Sequence, residues 1–213
     1  MDNGWEPEKS LLVMMDSTVM VSYCGKIIET TVTANASVAE NWVHSIRSMN
    51  KYKEESLVVG LNCKWILHPI RSLSGKIVTL QLCIDTKCLI LLPTCMENIP
   101  DSIKNFFDDP NVVFVGIDVE ETLKKLKAEY GLDLSKKIDI RVLVKLHFPH
   151  SFHGKPGLKA LACQLVDLRM WKPKHDCWNN LGSRVLGMEQ IKYACVDAYV
   201  TYRIGQKLLK ETP

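Results

Sequence analysis

The stretch VVGLNCKW, residues 58–65, decides how this chain is expected to fold. Its apolar start and polar end are typical of a buried strand whose last residues reach the edge of a sheet. Asn62 and Lys64 are two residues apart, so their side chains point to the same face of that strand. Two carboxylates at this spacing would form a magnesium site, whereas an amide and an ammonium would not. The stretch is therefore either a metal-binding strand that has lost its ligands or a strand that never had any.

The rest of the chain predicts a single α/β domain around this strand. Alternating β-branched residues predict a hairpin over 18–33, and apolar residues at helical spacing predict a helix over 37–49, with Ser37 and Glu40 as a capping box. Further strands are predicted over 57–65, 77–84, 87–93 and 111–117. Further helices are predicted over 99–109, 119–131, 157–170 and 188–210. Residues 137–145 form either a strand or a strand that turns into a helix. This order predicts a mixed sheet flanked by helices, with residues 1–15 as a tail and 16–213 as one domain.

Composition narrows the class of protein. The chain has 213 residues, of which 46% are hydrophobic and 24% charged, and these values predict a soluble globular protein. The net charge of +3 is compatible with contact to nucleic acid but does not by itself indicate such contact. We expect no membrane span and no secretory signal, and therefore a cytoplasmic or nuclear protein. The 8 cysteines include no C-x-x-C pair and are expected to be reduced, buried thiols.

Four stretches match a known set of motifs in order: VVGLNCKW (58–65), TLQLCIDTKCLILLP (79–93), FVGIDVEETLKKL (114–126) and YACVDAYV (193–200). Together they resemble the motifs of the Werner-type 3′–5′ exonucleases, and the N-terminal region resembles plant members of that group. VVGLNCKW resembles the first motif, V-V-G-x-D-x-E-W, and TLQLCIDTKCLILLP resembles the next two strands. FVGIDVEETLKKL resembles the second motif and YACVDAYV the third, Y-A-x-x-D-A-Y. The resemblance covers residues 55–205. It implies an RNase H-like, DnaQ-type fold, and removal of nucleotides from 3′ ends with two Mg²⁺ or Mn²⁺ ions held by four acidic residues.

Carried over position by position, the resemblance leaves one acid of the four. The two acids of the first motif fall on Asn62 and Lys64, and the acid of the second motif falls on Thr122. The last acid is present as Asp197, and the tyrosine that orients the attacking water in the family is present as Tyr193. The resemblance therefore implies catalytic roles for Asp197 and Tyr193, metal binding by Asp197, and weak or absent divalent metal binding overall.

Several alternatives follow from these substitutions. Lys64 is either a solvated side chain or a contact for a phosphate. Asp118, Glu120 and Glu121 either complement the dipole of the helix that they begin or swing in to replace the lost ligand. A set of basic residues near the last helix is either a solvated face or, together with Lys64, part of a nucleic-acid path. This set comprises Lys155, Lys172, Lys174 and Arg184.

Three functions are consistent with this pattern. The first is an active 3′–5′ exonuclease with rearranged ligands, acting on single-stranded RNA or DNA. The second is an exonuclease-like protein that binds single-stranded 3′ ends without cutting them. The third is an assembly subunit, which forms a homo-oligomer or pairs with a related, active exonuclease.

Overall fold

The structure is a computed structural model that describes residues 12–13, 16–49, 56–66, 75–152, 154–171 and 186–211. The strands are β1 (Leu12–Val13), β2 (Ser17–Tyr23), β3 (Lys26–Thr33), β4 (Leu57–Ile66), β5 (Lys76–Ile84), β6 (Lys87–Leu91), β7 (Val112–Gly116), β8 (Lys136–Asp139) and β9 (Leu186–Gly187). The helices are α1 (Ala36–Ser48), α2 (Asp101–Phe107), α3 (Val119–Tyr130), α4 (Ile140–His147), α5 (Leu158–Val166) and α6 (Met188–Lys210).

A mixed sheet of seven strands forms the centre of the molecule, in the order β2-β3-β6-β5-β4-β7-β8. Strands β4, β5 and β6 form an antiparallel meander. Strand β3 runs parallel to β6, and β7 runs parallel to both β4 and β8. The predicted mixed sheet flanked by helices is confirmed.

The two faces of the sheet carry separate apolar cores. Helices α1, α2 and α3 cover one face, and α4, α5 and α6 cover the other. Because side chains alternate along a strand, the odd-numbered residues of β4 from 57 to 63 are buried against the first group of helices. The even-numbered residues, which include Asn62 and Lys64, therefore face α6.

Gly60 allows α6 to lie directly on β4. A Cβ atom at this position would be 2.4 Å from the carbonyl oxygen of Ala198 and 2.6 Å from the amide nitrogen of Tyr202. A second close approach occurs at Gly205, where a Cβ atom would be 2.4 Å from Val115 Cγ2. Only residues without a side chain permit this spacing between helix and sheet, and the spacing determines how far α6 is from Asn62 and Lys64.

Gly60→Ala is expected to lower the free energy of unfolding by about 1–3 kcal/mol, because the added methyl group forces α6 away from the sheet. Urea denaturation followed by circular dichroism measures this loss. Gly157→Ala is the control for a methyl group added without a clash, since a Cβ atom there meets nothing within 4 Å and the φ of Gly157 is −81°. Because Gly157 is the N-cap of α5, we expect a smaller loss of stability there, not zero. If the two variants are equally stable, the contact between α6 and β4 is not as tight as described.

Two predicted helix boundaries need correction, and one open alternative is decided. The first helix begins at Ala36, and its cap is Asn35, whose side chain accepts from the amide of Ser37 at 2.9 Å, so the predicted capping box is wrong. Residues 137–145 are the strand that turns into a helix, because β8 ends where α4 begins. The helix predicted over 157–170 is shorter, since α5 ends before Asp167, which adopts a left-handed conformation with φ 51°.

Other predictions concern the tail, the cysteines and membranes. The predicted tail contains β1, which pairs with β9. The described cysteines are all free thiols, but Cys24 and Cys163 are exposed rather than buried, and Cys177 lies outside the described residues. In the described part of the chain, no helix is long and apolar enough to cross a membrane.

Candidate functional site

The polar end of β4 meets the middle of α6. Asn62 Nδ2 donates to Asp197 Oδ2 at 3.3 Å, and Lys64 Nζ forms an ion pair with the same oxygen. Strand alternation explains why Asn62 and Lys64 face α6 together, and the glycine at position 60 explains why the helix is close enough. The structure therefore brings together Asn62, Lys64 and Asp197 from two distant parts of the chain.

Asp197 is a buried carboxylate with one oxygen that is not hydrogen-bonded. The residue is only 3% exposed, and among the described residues Oδ1 has no hydrogen-bond partner. Burial raises the pKa of the Asp197 carboxyl above its ordinary value, while the ammonium of Lys64 and the amide of Asn62 oppose that rise. The Lys64 ammonium is therefore the principal group that stabilises a charge at this position.

Tyr193 lies one turn before Asp197 on the same face of α6. The ammonium of Lys64 is 4.8 Å from the centroid of the Tyr193 ring, which is within the range of a cation–π interaction. Lys64 is therefore held by a carboxylate and by an aromatic ring. These two contacts fix a positive charge beside the carboxylate.

These side chains line a cleft of about 420 Å³. Helix α5 contributes Lys159 to its wall, and the segment after α5 contributes Met170 and Trp171. The full lining comprises Asn62, Lys64, Ile117, Gly157, Leu158, Lys159, Met170, Trp171, Tyr193, Asp197 and Thr201. Lys159 and Trp171 were not predicted from the sequence. The signal for Trp171 was a tryptophan directly before the basic stretch KPK.

The second motif does not supply an acid to this cleft. Thr122 is buried in the first turn of α3, 5% exposed, and does not line the cleft. Asp118 Oδ1 accepts from Arg141 Nη1 at 2.6 Å, and Glu120 lies 3.6 Å from Lys137 Nζ. Glu121 is exposed and also lies outside the cleft lining.

The donors in the cleft do not fit a divalent metal ion. Magnesium and manganese require several oxygen ligands, and here one carboxylate faces an amide and an ammonium. Within the described ranges, no group of three or more histidine, cysteine or acidic side chains could hold a metal ion. The basic residues Lys172, Lys174 and Arg184 lie outside the described residues.

Comparison with known proteins gives consistent matches. A family model described as 3′-5′ exonuclease matches residues 33–213. A 3′-5′ exonuclease of Arabidopsis thaliana is 28% identical over 171 residues, which are 79% of this chain and 58% of that protein. Human exonuclease 3′-5′ domain-containing protein 2 is 24% identical over 200 residues, or 88% of this chain and 31% of that protein. The chain thus spans less than two thirds of the length of these relatives.

A likeness to a solved structure supports the fold. Escherichia coli RNase D superimposes with a TM-score of 0.69 at 16% identity, over 84% of this chain and 44% of that one. At this level of identity the likeness concerns the fold alone. The predicted RNase H-like fold is confirmed.

Proposed function

Because the chain belongs to the 3′-5′ exonuclease family, we propose that it binds single-stranded 3′ ends in this cleft with little or no metal-dependent hydrolysis of its own. The observation that carries this proposal is the ion pair between Lys64 and Asp197. The ammonium occupies the carboxylate oxygen that a divalent ion would need as a ligand, and this supports the proposal.

Electrostatics supports the loss of metal binding. A divalent ion about 4 Å from an ammonium is repelled by about 2 kcal/mol even in a water-like dielectric, and by more in a partly buried site. Lys64 is 21% exposed at its side chain and Asp197 5%, so water screens this repulsion incompletely. A metal ion would also have to displace the Lys64 ammonium from the Asp197 carboxylate, which is the best metal ligand among these side chains.

The same groups suit the sugar–phosphate end of a nucleic acid strand. The ammonium of Lys64 can donate to a phosphate oxygen, and exposed Lys159 adds a second positive charge to the cleft. Binding of this kind needs no metal and falls as salt concentration rises.

We expect labelled single-stranded RNA or DNA to bind in chelator at least as well as in magnesium at the same ionic strength, and to remain uncut. Fluorescence anisotropy measures binding, and gel electrophoresis of the same samples detects trimming. Lys64→Met is expected to weaken binding, because it removes the central positive charge. Lys104→Met is the matched control, since Lys104 is a lysine of α2 that does not line the cleft.

Metal-dependent shortening of the strand that disappears in Asp197→Ala would contradict the proposal. That result would favour an active enzyme with rearranged ligands. Failure to bind any single strand at low salt would contradict the binding function itself.

A further inference from the structure

We propose that Trp171 is a stacking platform for the base of the terminal nucleotide, which rests on the function proposed above. Trp171 lines the same cleft as Lys64 and Asp197. It is 40% exposed, whereas the neighbouring Met170 is 6% exposed. A large aromatic ring that is open to solvent inside a cleft with charged residues at its base offers a surface for a flat ligand.

The ring of Trp171 is held in place from behind. Its centroid is 5.6 Å from that of Tyr23, at an interplanar angle of 65°. Tyr23 is itself buried and lies 6.1 Å from Tyr199 of α6, at an angle of 85°. These T-shaped contacts restrict the ring without covering all of it, so little ordering is needed when a base stacks on it.

The support for this ring comes from outside the family match. Tyr23 ends β2, and the family model begins at residue 33. The stacking surface thus depends on the N-terminal hairpin together with the segment that follows α5. We infer that this chain adds base stacking to a cleft whose charged residues no longer suit a metal.

A nucleobase is the ligand chemistry that fits this arrangement. Stacking on an aromatic side chain works for every base, because each base has a π-face. With the phosphate at Lys64 and Lys159, the base of the same nucleotide would lie against Trp171. We therefore expect preference for a strand with an intact terminal base, and little preference among the four bases.

The test compares binding affinities in a double-mutant cycle, in which the residue at position 171 and the 3′-terminal base are changed separately and together. One 5′-labelled strand carries a normal 3′-terminal nucleotide, and a second carries an abasic 3′-terminal nucleotide. Trp171→Leu keeps an apolar side chain but removes the π-face, and Trp171→Phe keeps the π-face. We expect Trp171→Leu to weaken binding of the normal strand by about 5- to 150-fold and to leave binding of the abasic strand nearly unchanged. Trp171→Phe should retain most of the affinity for the normal strand.

The outcomes separate this inference from the function on which it rests. Equal weakening of both strands by Trp171→Leu would overturn the stacking role while leaving 3′-end binding intact. No binding of either strand by the natural protein would overturn the proposed function, and the stacking role with it. A 3′-terminal 2-aminopurine gives a second readout. Its fluorescence should fall on binding to the natural protein but not on binding to Trp171→Leu.

Discussion

We expect divalent metal to stabilise the variant Asn62→Asp/Lys64→Glu and to leave the stability of the natural protein unchanged. Both new carboxylates replace side chains that now contact Asp197 Oδ2, so three carboxylates would face one another across β4 and α6. Their repulsion should lower the stability of the metal-free variant and raise one or more of their pKa values. Magnesium or manganese then relieves that repulsion by binding the folded state alone.

The expected size of the effect follows from mass action. At a metal concentration about 100 times the dissociation constant, stabilisation is about 2.7 kcal/mol, which corresponds to a rise in Tm of about 5–10 °C for a chain of this size. Differential scanning fluorimetry with and without metal measures it. We also expect metal-dependent trimming of single strands above that of the natural protein.

A control variant separates a rebuilt site from a simple change in charge. Asn111→Asp/Lys145→Glu makes the same changes in formal charge, −1 and −2, at two exposed positions outside the cleft. Metal should not raise the Tm of this control variant by a comparable amount. Adding Thr122→Asp to the cleft variant tests the second motif, where a buried position must now accept a charge. If the cleft variant folds and responds to metal no more than the control, this strand is not a disabled form of the exonuclease site.

Lys64→Met is expected to lower the free energy of unfolding by about 3–5 kcal/mol at pH 7, because it leaves the buried Asp197 carboxylate without its cation. Urea denaturation is the measurement. Lys127→Met is the matched control, since Lys127 forms an exposed ion pair with Asp133 and its loss should change stability little. The double variant Lys64→Met/Asp197→Asn removes both charges and should regain most of the loss.

The loss in Lys64→Met should depend on pH in one direction. Burial already raises the folded-state pKa of Asp197, and removing Lys64 raises it further. A carboxyl whose pKa is higher in the folded state lowers stability as pH rises through that range, and it has no such effect below its unfolded pKa. The gap between Lys64→Met and the natural protein should therefore be largest at neutral pH and shrink towards pH 4 and below. A gap that stays constant across this range would show that Lys64 acts through packing and not through charge.

The sequence by itself determined which segments form strands and helices, and on which face of each strand or helix the polar residues lie. The period of two along residues 58–65 places Asn62 and Lys64 on one face of a strand, and a spacing of four places Tyr193 and Asp197 on one face of a helix. Both periods are properties of local backbone geometry, so they can be recognised without knowledge of the fold. The order of strands and helices likewise predicted a mixed sheet.

Only the tertiary structure decided which of these residues meet. Lys64 and Asp197 are separated by 133 positions, and their contact depends on how closely α6 approaches β4 at Gly60. The acids of the second motif were open alternatives in sequence, but Asp118 and Glu120 lie beside Arg141 and Lys137, cations from neighbouring elements. Trp171 joined the cleft because Tyr23 packs against it from the other end of the chain. Such contacts depend on the distances between helices and strands. The periodicity of side chains along a single helix or strand carries no information about those distances.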